Sequence, residues 1–203
     1  MAEEPNRWED VYQSKAEAET SWFEDRPQVS LDLIAATGAT SDAAIVDVGA
    51  GASRLVDCLL DQGFLRITVL DLSDTALAKA RARLSDDVPV EWVAANVLDW
   101  EPSGLFDVWH DRAAFHFLTD VADQEAYLQV MDRALVPGGQ AIIGTFAPDG
   151  PEKCSGLPVA RYDAALLAER LGPDCQSARN PDPLSAPKND PLILRRGSWP
   201  DAV

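Results

Sequence analysis

A chain of 203 residues, 46% hydrophobic and 25% charged, has the length and composition of one globular domain, which excludes wholesale disorder and a collagenous repeat. Asp and Glu number 34 against 17 Lys and Arg, and the net charge of -17 argues against a nucleic-acid or polyphosphate partner. No apolar run reaches the length of a membrane span, and the amino terminus M-A-E-E-P-N-R-W-E-D has neither a basic segment nor an apolar stretch behind it, so a cytoplasmic location is expected.

Before residue 43 the chain reads as helical: a polar helix from Trp8 towards Pro27, passing Ser21-Trp22-Phe23, and a second from Ser30 to Ala36. From Ala43 to Leu135 short β-branched runs alternate with segments of helical period, the pattern of βαβ units around a parallel sheet. The first strand is Ala44–Val48, broken by Gly49 and Gly51 before a helix from Arg54 that Gly63 closes. Ile67–Asp71 is the second strand, with Ser73 as N-cap of a helix ending near Leu84. Pro89 precedes the third, Val90–Val93, and the turn Ala94-Ala95-Asn96 follows it. A fourth, Phe106–Trp109, runs into His110-Asp111-Arg112. Asp123 to Leu135 has a helical period and stops at Pro137-Gly138-Gly139, a breaker before a fifth strand, Gln140–Phe146. Asp163 then caps a last helix ending near Leu171-Gly172.

The three cysteines, Cys58, Cys154 and Cys175, lack C-x-x-C spacing and are expected as reduced thiols, Cys58 in the core and Cys154 in a loop open to a ligand. No constellation of metal ligands is visible, and none is expected.

Open α/β sheets bind ligands at the carboxyl ends of their strands, so the turn residues carry the function. In D-V-G-A-G-A-S the glycines of the first turn permit a sharp reversal and close approach of a ligand to the backbone. The third glycine of a dinucleotide fingerprint is not matched, and Asp47 places a carboxylate beside the cleft, which suits a cationic sulfonium bearing an ammonium group better than a pyrophosphate. Asp71 follows Asp47 at the spacing (71 − 47 = 24) of the acid that takes ribose hydroxyls in nucleotide-binding α/β folds.

With these residues in place the sequence resembles the class I S-adenosylmethionine-dependent methyltransferases. The resemblance covers roughly Trp22 to Leu171 and rests on D-V-G-A-G-A-S, L-D-L-S at Leu70–Ser73, Ala95-Asn96-Val97 and L-V-P-G-G at Leu135–Gly139. It implies a Rossmann-like α/β fold, a doubly wound, mostly parallel sheet in three αβα layers, and S-adenosyl-L-methionine as cofactor. Carried over, Asp47, Gly49, Gly51 and Ser53 belong to the motif around methionine, Asp71 holds the ribose, Asn96 meets the adenine where the family more often has Asp, and Leu72 and Val97 line it. Trp22 has two open roles, a cover over the cofactor or an ordinary core tryptophan. D-V-W-H-D-R-A-A-F-H-F-L and G-P-E-K-C-S-G-L-P-V-A-R-Y-D further resemble a bacterial branch similar to protein-lysine methyltransferases.

Methyl transfer is an in-line displacement, and an amine acceptor must lose a proton to a nearby base. Asp111, at the end of the fourth strand, is expected to line the pocket and is the first choice for that base, ahead of His110, His116 and Tyr162; for His116, among the aromatic neighbours of A-A-F-H-F-L, packing is the favoured role. Arg161 and Cys154 either shape the acceptor side or serve a structural loop. The acceptor is a small molecule or a protein lysine.

After Gly172 composition changes abruptly, with Pro173, Pro181, Pro183, Pro187, Pro191 and Pro200 close together and only Leu192-Ile193-Leu194 as a β candidate. The expectation is a methyltransferase domain over 1–172 (flanking helices 1–42, cofactor-binding core 43–172) and an irregular tail over 173–203. The last two of the family's seven strands are then missing or disordered, through a frameshift, truncation or divergence near Asp174. A catalytically inactive chain with the same fold is the third reading, beside the protein and small-molecule methyltransferases.

Overall fold

The computed structural model describes residues 4–112, 114–172, 175–178 and 189–196. At its centre lies β1 (Ala44–Val48), buried along its whole length. Strand alternation divides its side chains: Ile45 joins the core on one face of the sheet, Val46 and Val48 the core on the other. The same division recurs one strand over in β4 (Phe106–Arg112), where Val108 lies with Ile45, and Trp109 with Val46.

Helices α2 (Gln28–Ala36) and α3 (Leu55–Asp61) cover the Ile45 face through Leu31, Ile34, Leu55 and Leu59, and Leu77 of α4 (Asp74–Arg81) joins them. Helices α5 (Val121–Ala134) and α6 (Ala164–Leu171) cover the other through Tyr127, Val130, Met131 and Leu167. The caps are those read from the sequence: Ser73 accepts from the Ala76 amide, and Asp163 from that of Leu166.

Across the sheet the order is β3 (Val90–Ala94), β2 (Arg66–Asp71), β1, β4, β5 (Leu135–Phe146), β9 (Asn189–Arg196) and β8 (Cys175–Ala178). The first five are parallel, and β9 runs antiparallel to both β5 and β8. The chain winds outward from β1 to β3 and then returns to start β4 on the other side of β1. This switch point opens a crevice at the carboxyl ends of β1 and β4. The fold is the Rossmann-like three-layer architecture expected.

Three expectations are corrected. The last two strands are present: β9 pairs with β5 over Asn189–Arg195, so the edge of β5 is covered and the sheet continues beyond Gly172. Pro191 is tolerated because it lies opposite Gly144 of β5, whereas β8 covers only Ile193–Arg196, so its missing N–H interrupts no second ladder. Pro173, Pro181, Pro183, Pro187, Pro200 and the thiol of Cys175 lie outside the described residues. Second, the Pro137-Gly138-Gly139 breaker is absorbed into β5, with Gly138 at φ +81° and an irregular register against β4 between Phe106 and Val108. Third, the amino-terminal helix is short: α1 (Glu4–Ser14) gives way to a 3-10 turn at Glu17–Glu19 and an extended passage to Pro27.

Between β5 and α6 a small hairpin forms from β6 (Lys153–Cys154) and β7 (Leu157–Pro158). Among the described residues no helix is long and apolar enough to cross a membrane.

Candidate active site at the carboxyl edge of the sheet

The turn after β1 is built on two glycines at positive φ, Gly49 (+63°) and Gly51 (+55°). A Cβ on Gly49 would lie 2.5 Å from Cβ of Ala114, and one on Gly51 would collide with the Tyr12 hydroxyl. Asp71, at the end of β2, holds this turn: Oδ2 accepts from the Gly51 amide (2.7 Å) and Oδ1 from the Ser73 amide (2.8 Å). Burial pushes its carboxyl up to about 6, against the opposing pull of those two amides.

Above the turn is a cavity of about 620 Å³. Of the residues singled out from the sequence, Trp22, Asp47, Gly49, Ser53, Asp71, Leu72, Asn96 and Val97 line it. Gly51 contributes its amide to Asp71 rather than a surface to the cavity. The Asn96 Oδ1 accepts from the Leu98 amide (3.1 Å), leaving its NH2 as the free end of the side chain.

Asp111 is not brought to the cavity. It stands opposite Val48 in the sheet and shares the face of Trp109, so its fully buried carboxylate points towards α5. There Oδ2 accepts from the Tyr127 hydroxyl (2.6 Å), which itself accepts from Trp109 Nε1 (2.7 Å). Oδ1 accepts from the Ala114 amide (2.8 Å), and the Phe115 amide bonds to the same carboxylate. Burial pushes Asp111 up to about 6. The residue expected as pocket lining and base instead fixes the loop after β4.

The preceding residue takes the place on the wall. His110 is the register partner of Asp47, shares its face, and places Nδ1 2.7 Å from Asp47 Oδ1. Both line the cavity. His116 is packing: fully buried, stacked on Phe146 (5.0 Å between ring centres) and edge-on to Phe117 (4.3 Å), with burial pushing it down to about 4. Tyr162 accepts from Gln124 Nε2 (2.8 Å), and Arg161 donates to the Gly150 carbonyl (3.0 Å); neither reaches the cavity, whereas Cys154 does.

The sequence reading missed the cover. Trp8 and Tyr12, one helical turn apart on α1, line the cavity with Glu17, Thr20 and Glu24, and an aromatic pair at that spacing on an otherwise polar helix is the signal that marks them. Glu9 anchors α1 on the start of α4, accepting from Ser73 Oγ (2.7 Å), the Thr75 amide (3.3 Å) and the Thr75 hydroxyl. The Thr75 and Ser73 hydroxyls hold its carboxyl down at about 2. At the far end of α1, Lys79 Nζ donates to the Tyr12 (2.5 Å) and Lys15 (2.8 Å) carbonyls, a cation at a helix carboxyl terminus. Trp8 packs edge-on against Trp22 (5.9 Å) and Phe117 (5.1 Å), and Arg7 donates to the Ser155 carbonyl of the β6–β7 hairpin.

A family model described as "Methyltransferase domain" matches residues 45–139, the stretch from β1 into the first residues of β5. Residues 45–139 thus match a methyltransferase domain, in line with the class I S-adenosylmethionine-dependent methyltransferases that the sequence resembles. Among curated proteins the chain is similar to Nodulation protein S of Rhizobium tropici, at 25% identity over 126 residues, 62% of this chain and 52% of the relative. It is also similar to Ubiquinone biosynthesis O-methyltransferase of Xanthomonas campestris pv. campestris, at 29% over 157 residues, 72% of this chain and 64% of the relative. The chain thus spans about half the length of the Nodulation protein S relatives it matches. Among solved structures the N-methyltransferase NodS of Bradyrhizobium japonicum, in complex with S-adenosyl-l-homocysteine, superimposes with a TM-score of 0.71 at 16% identity, covering 93% of this chain and 98% of that one. The likeness extends the shared fold over nearly the whole molecule.

Proposed function

We propose that this protein is a methyltransferase that moves the methyl group of S-adenosylmethionine to a nitrogen of a small amine. The observation that carries the choice of a small acceptor is the bridge from Arg7 on α1 to the Ser155 carbonyl of the β6–β7 hairpin. It joins the two covers over the cavity, and a lysine presented on a folded protein would have to part them. A volume of about 620 Å³ is in the range of pockets for ligands of cofactor size with a small partner.

Charge supports the amine. Six carboxylates line the cavity (Glu17, Glu24, Asp47, Asp71, Asp120 and Asp123), and the one guanidinium among its described residues, Arg112, is paired with Glu24 at 2.6 Å. Such a wall favours an ammonium over an anionic acceptor. The structurally similar NodS is itself named an N-methyltransferase.

The residues present fit the cofactor. Each Asp71 oxygen already takes one backbone amide and keeps a second acceptor position, so the carboxylate serves both ribose hydroxyls. The Cβ-free turn at Gly49 admits the methionine portion, Ser53 stands at its end, Leu72 and Val97 offer apolar surface for adenine, and the Asn96 NH2 donates to a ring nitrogen. When bound, S-adenosylmethionine supplies a methyl on a positively charged sulfur. The protein aligns the acceptor and excludes water, the task of Trp8, Trp22 and Phe117.

The test is calorimetric titration of the full chain with S-adenosylhomocysteine, followed by transfer of labelled methyl to a panel of small amines, phenols and intact proteins. Binding lost in Asp71→Ala, with label on amines, is the expected result. Label on phenols alone would overturn the amine, label on proteins alone the small acceptor, and a folded chain that ignores S-adenosylhomocysteine the whole reading.

A further inference from the structure

We propose that His110 is the group that takes the proton from the acceptor nitrogen, and that Asp47 holds its ring for that task. The inference rests on the amine reading above.

Its basis is the register of two strands. Asp47 and His110 stand opposite each other on β1 and β4 with side chains on one face, and their contact is 2.7 Å long between side chains only 5% and 4% exposed. A carboxylate accepts and cannot donate, so the imidazole N–H sits on Nδ1 and the lone pair on Nε2. Among the described residues Nε2 has no hydrogen-bond partner and, unlike both nitrogens of His116, is not sealed in the core; His110 lines the cavity. A carboxylate on one ring nitrogen with the other free towards a cleft is the arrangement that orients a general base and stabilises the imidazolium it becomes.

The competing groups are otherwise engaged. The Asp111 carboxylate is turned away and bonded to Tyr127, the Tyr127 proton is committed to that carboxylate, and Tyr12 is a phenol pushed up by burial and by Asp71. The charges facing His110 are Asp47 from β1, Asp71 beyond it on β2, Asp111 behind it in its own strand, and the Arg112–Glu24 pair on the wall. The step balances: the acceptor N–H gives its proton to Nε2, the lone pair released forms the N–CH3 bond, and the C–S pair returns to sulfur, leaving a neutral thioether.

The chain has two histidines, so imidazole nitrogen NMR of the full chain without cofactor reads both, with His110→Gln assigning them. We expect His110 as the Nδ1–H tautomer, with that preference lost in Asp47→Asn. In the enzyme with saturating donor and acceptor, His110→Gln should lower kcat by about 100-fold, in the range general-base catalysis supplies. Higher pH should restore part of it as the amine deprotonates in solution, while affinity for S-adenosylhomocysteine stays within about threefold. An Nε2–H tautomer in the unaltered chain overturns the proposal even where the variants fail to fold. So does a His110→Gln enzyme with unchanged kcat; if its S-adenosylhomocysteine affinity falls tenfold as well, the ring serves the methionine end of the cofactor instead. Failure of the unaltered chain to bind S-adenosylhomocysteine would sink the methyltransferase reading and not this one alone.

Discussion

Glu9 accepts a hydrogen bond of 2.7 Å from Ser73 Oγ, a residue 64 positions further along the chain. One carboxylate thereby satisfies the start of α4 and closes α1 over the cavity. Glu9→Ala removes four hydrogen bonds, the three to Ser73 and Thr75 and one from Gln13 Nε2, at a net cost of about 1–3 kcal/mol for so partly exposed a group. The larger effect should fall on the site: S-adenosylhomocysteine affinity drops at least tenfold by calorimetry, while the Tyr12→Phe protein, which keeps Glu9, loses less.

Asp71 makes binding depend on pH. Its carboxyl, pushed up to about 6 by burial, must be ionised to accept from two ribose hydroxyls. Affinity for S-adenosylhomocysteine should therefore fall as pH drops below about 6. For stability the sign is opposite. A carboxyl whose folded pKa is raised contributes stability that is present below the unfolded value near 3.8 and lost as pH rises through about 6. Asp111, also raised to about 6, adds to the same window, whereas Glu9, held at about 2, contributes stability above 4.5 that is lost as pH falls through about 2. Thermal unfolding of the cofactor-free chain should show Asp71→Asn gaining on the unaltered protein as pH rises from 5 to 7.

Arg83 ties three segments together. Its guanidinium takes both oxygens of Asp57 (3.1 and 2.9 Å), Glu17 (2.7 Å) and the carbonyls of Ala52 and Ser53 (3.2 and 2.7 Å), so α3, the glycine turn and the 3-10 turn under the cover share one cation. Arg83→Met leaves Asp57 and Glu17 without it and should cost about 2–4 kcal/mol in denaturant unfolding. Cofactor affinity should weaken with it, because the turn after β1 loses two anchors.

Gly51→Ala tests the turn itself. The residue sits at φ +55°, and its new Cβ would meet the Tyr12 hydroxyl. Strain of about 1–2 kcal/mol from the backbone adds to that displacement. Combining it with Tyr12→Ala should recover part of the lost stability but none of the strain. A double variant no better than Gly51→Ala alone would show that the clash is not felt.

Asp111 separates support from chemistry. Tyr127→Phe removes its 2.6 Å partner and leaves a buried carboxylate less satisfied, at about 1–3 kcal/mol. Asp111 does not line the cavity, and the Tyr127 hydroxyl, though Tyr127 does, spends its proton on that carboxylate, so the pH profile of kcat should keep its shape in Tyr127→Phe.

The sequence by itself determined which residues stand at the ends of the central strands. Asp47 and Asp71 stand at the ends of apolar runs and Asn96 in the turn after the third, and parallel topology places every such end on one edge, so local pattern was sufficient to put them at the cavity. It also determined the glycine turn and the helix caps at Ser73 and Asp163, which depend on neighbours three residues away. Only the tertiary structure decided between His110 and Asp111, because a strand presents adjacent residues to opposite faces, and which face is the cavity is set by the register Asp47–His110 against a strand 63 residues away. The same holds for Glu9 and Tyr12, whose partners lie across the fold. It holds too for β9, where Pro191 disguised a strand that the open edge of β5 completes: an unpaired row of backbone donors and acceptors imposes structure on a segment whose own sequence does not announce it.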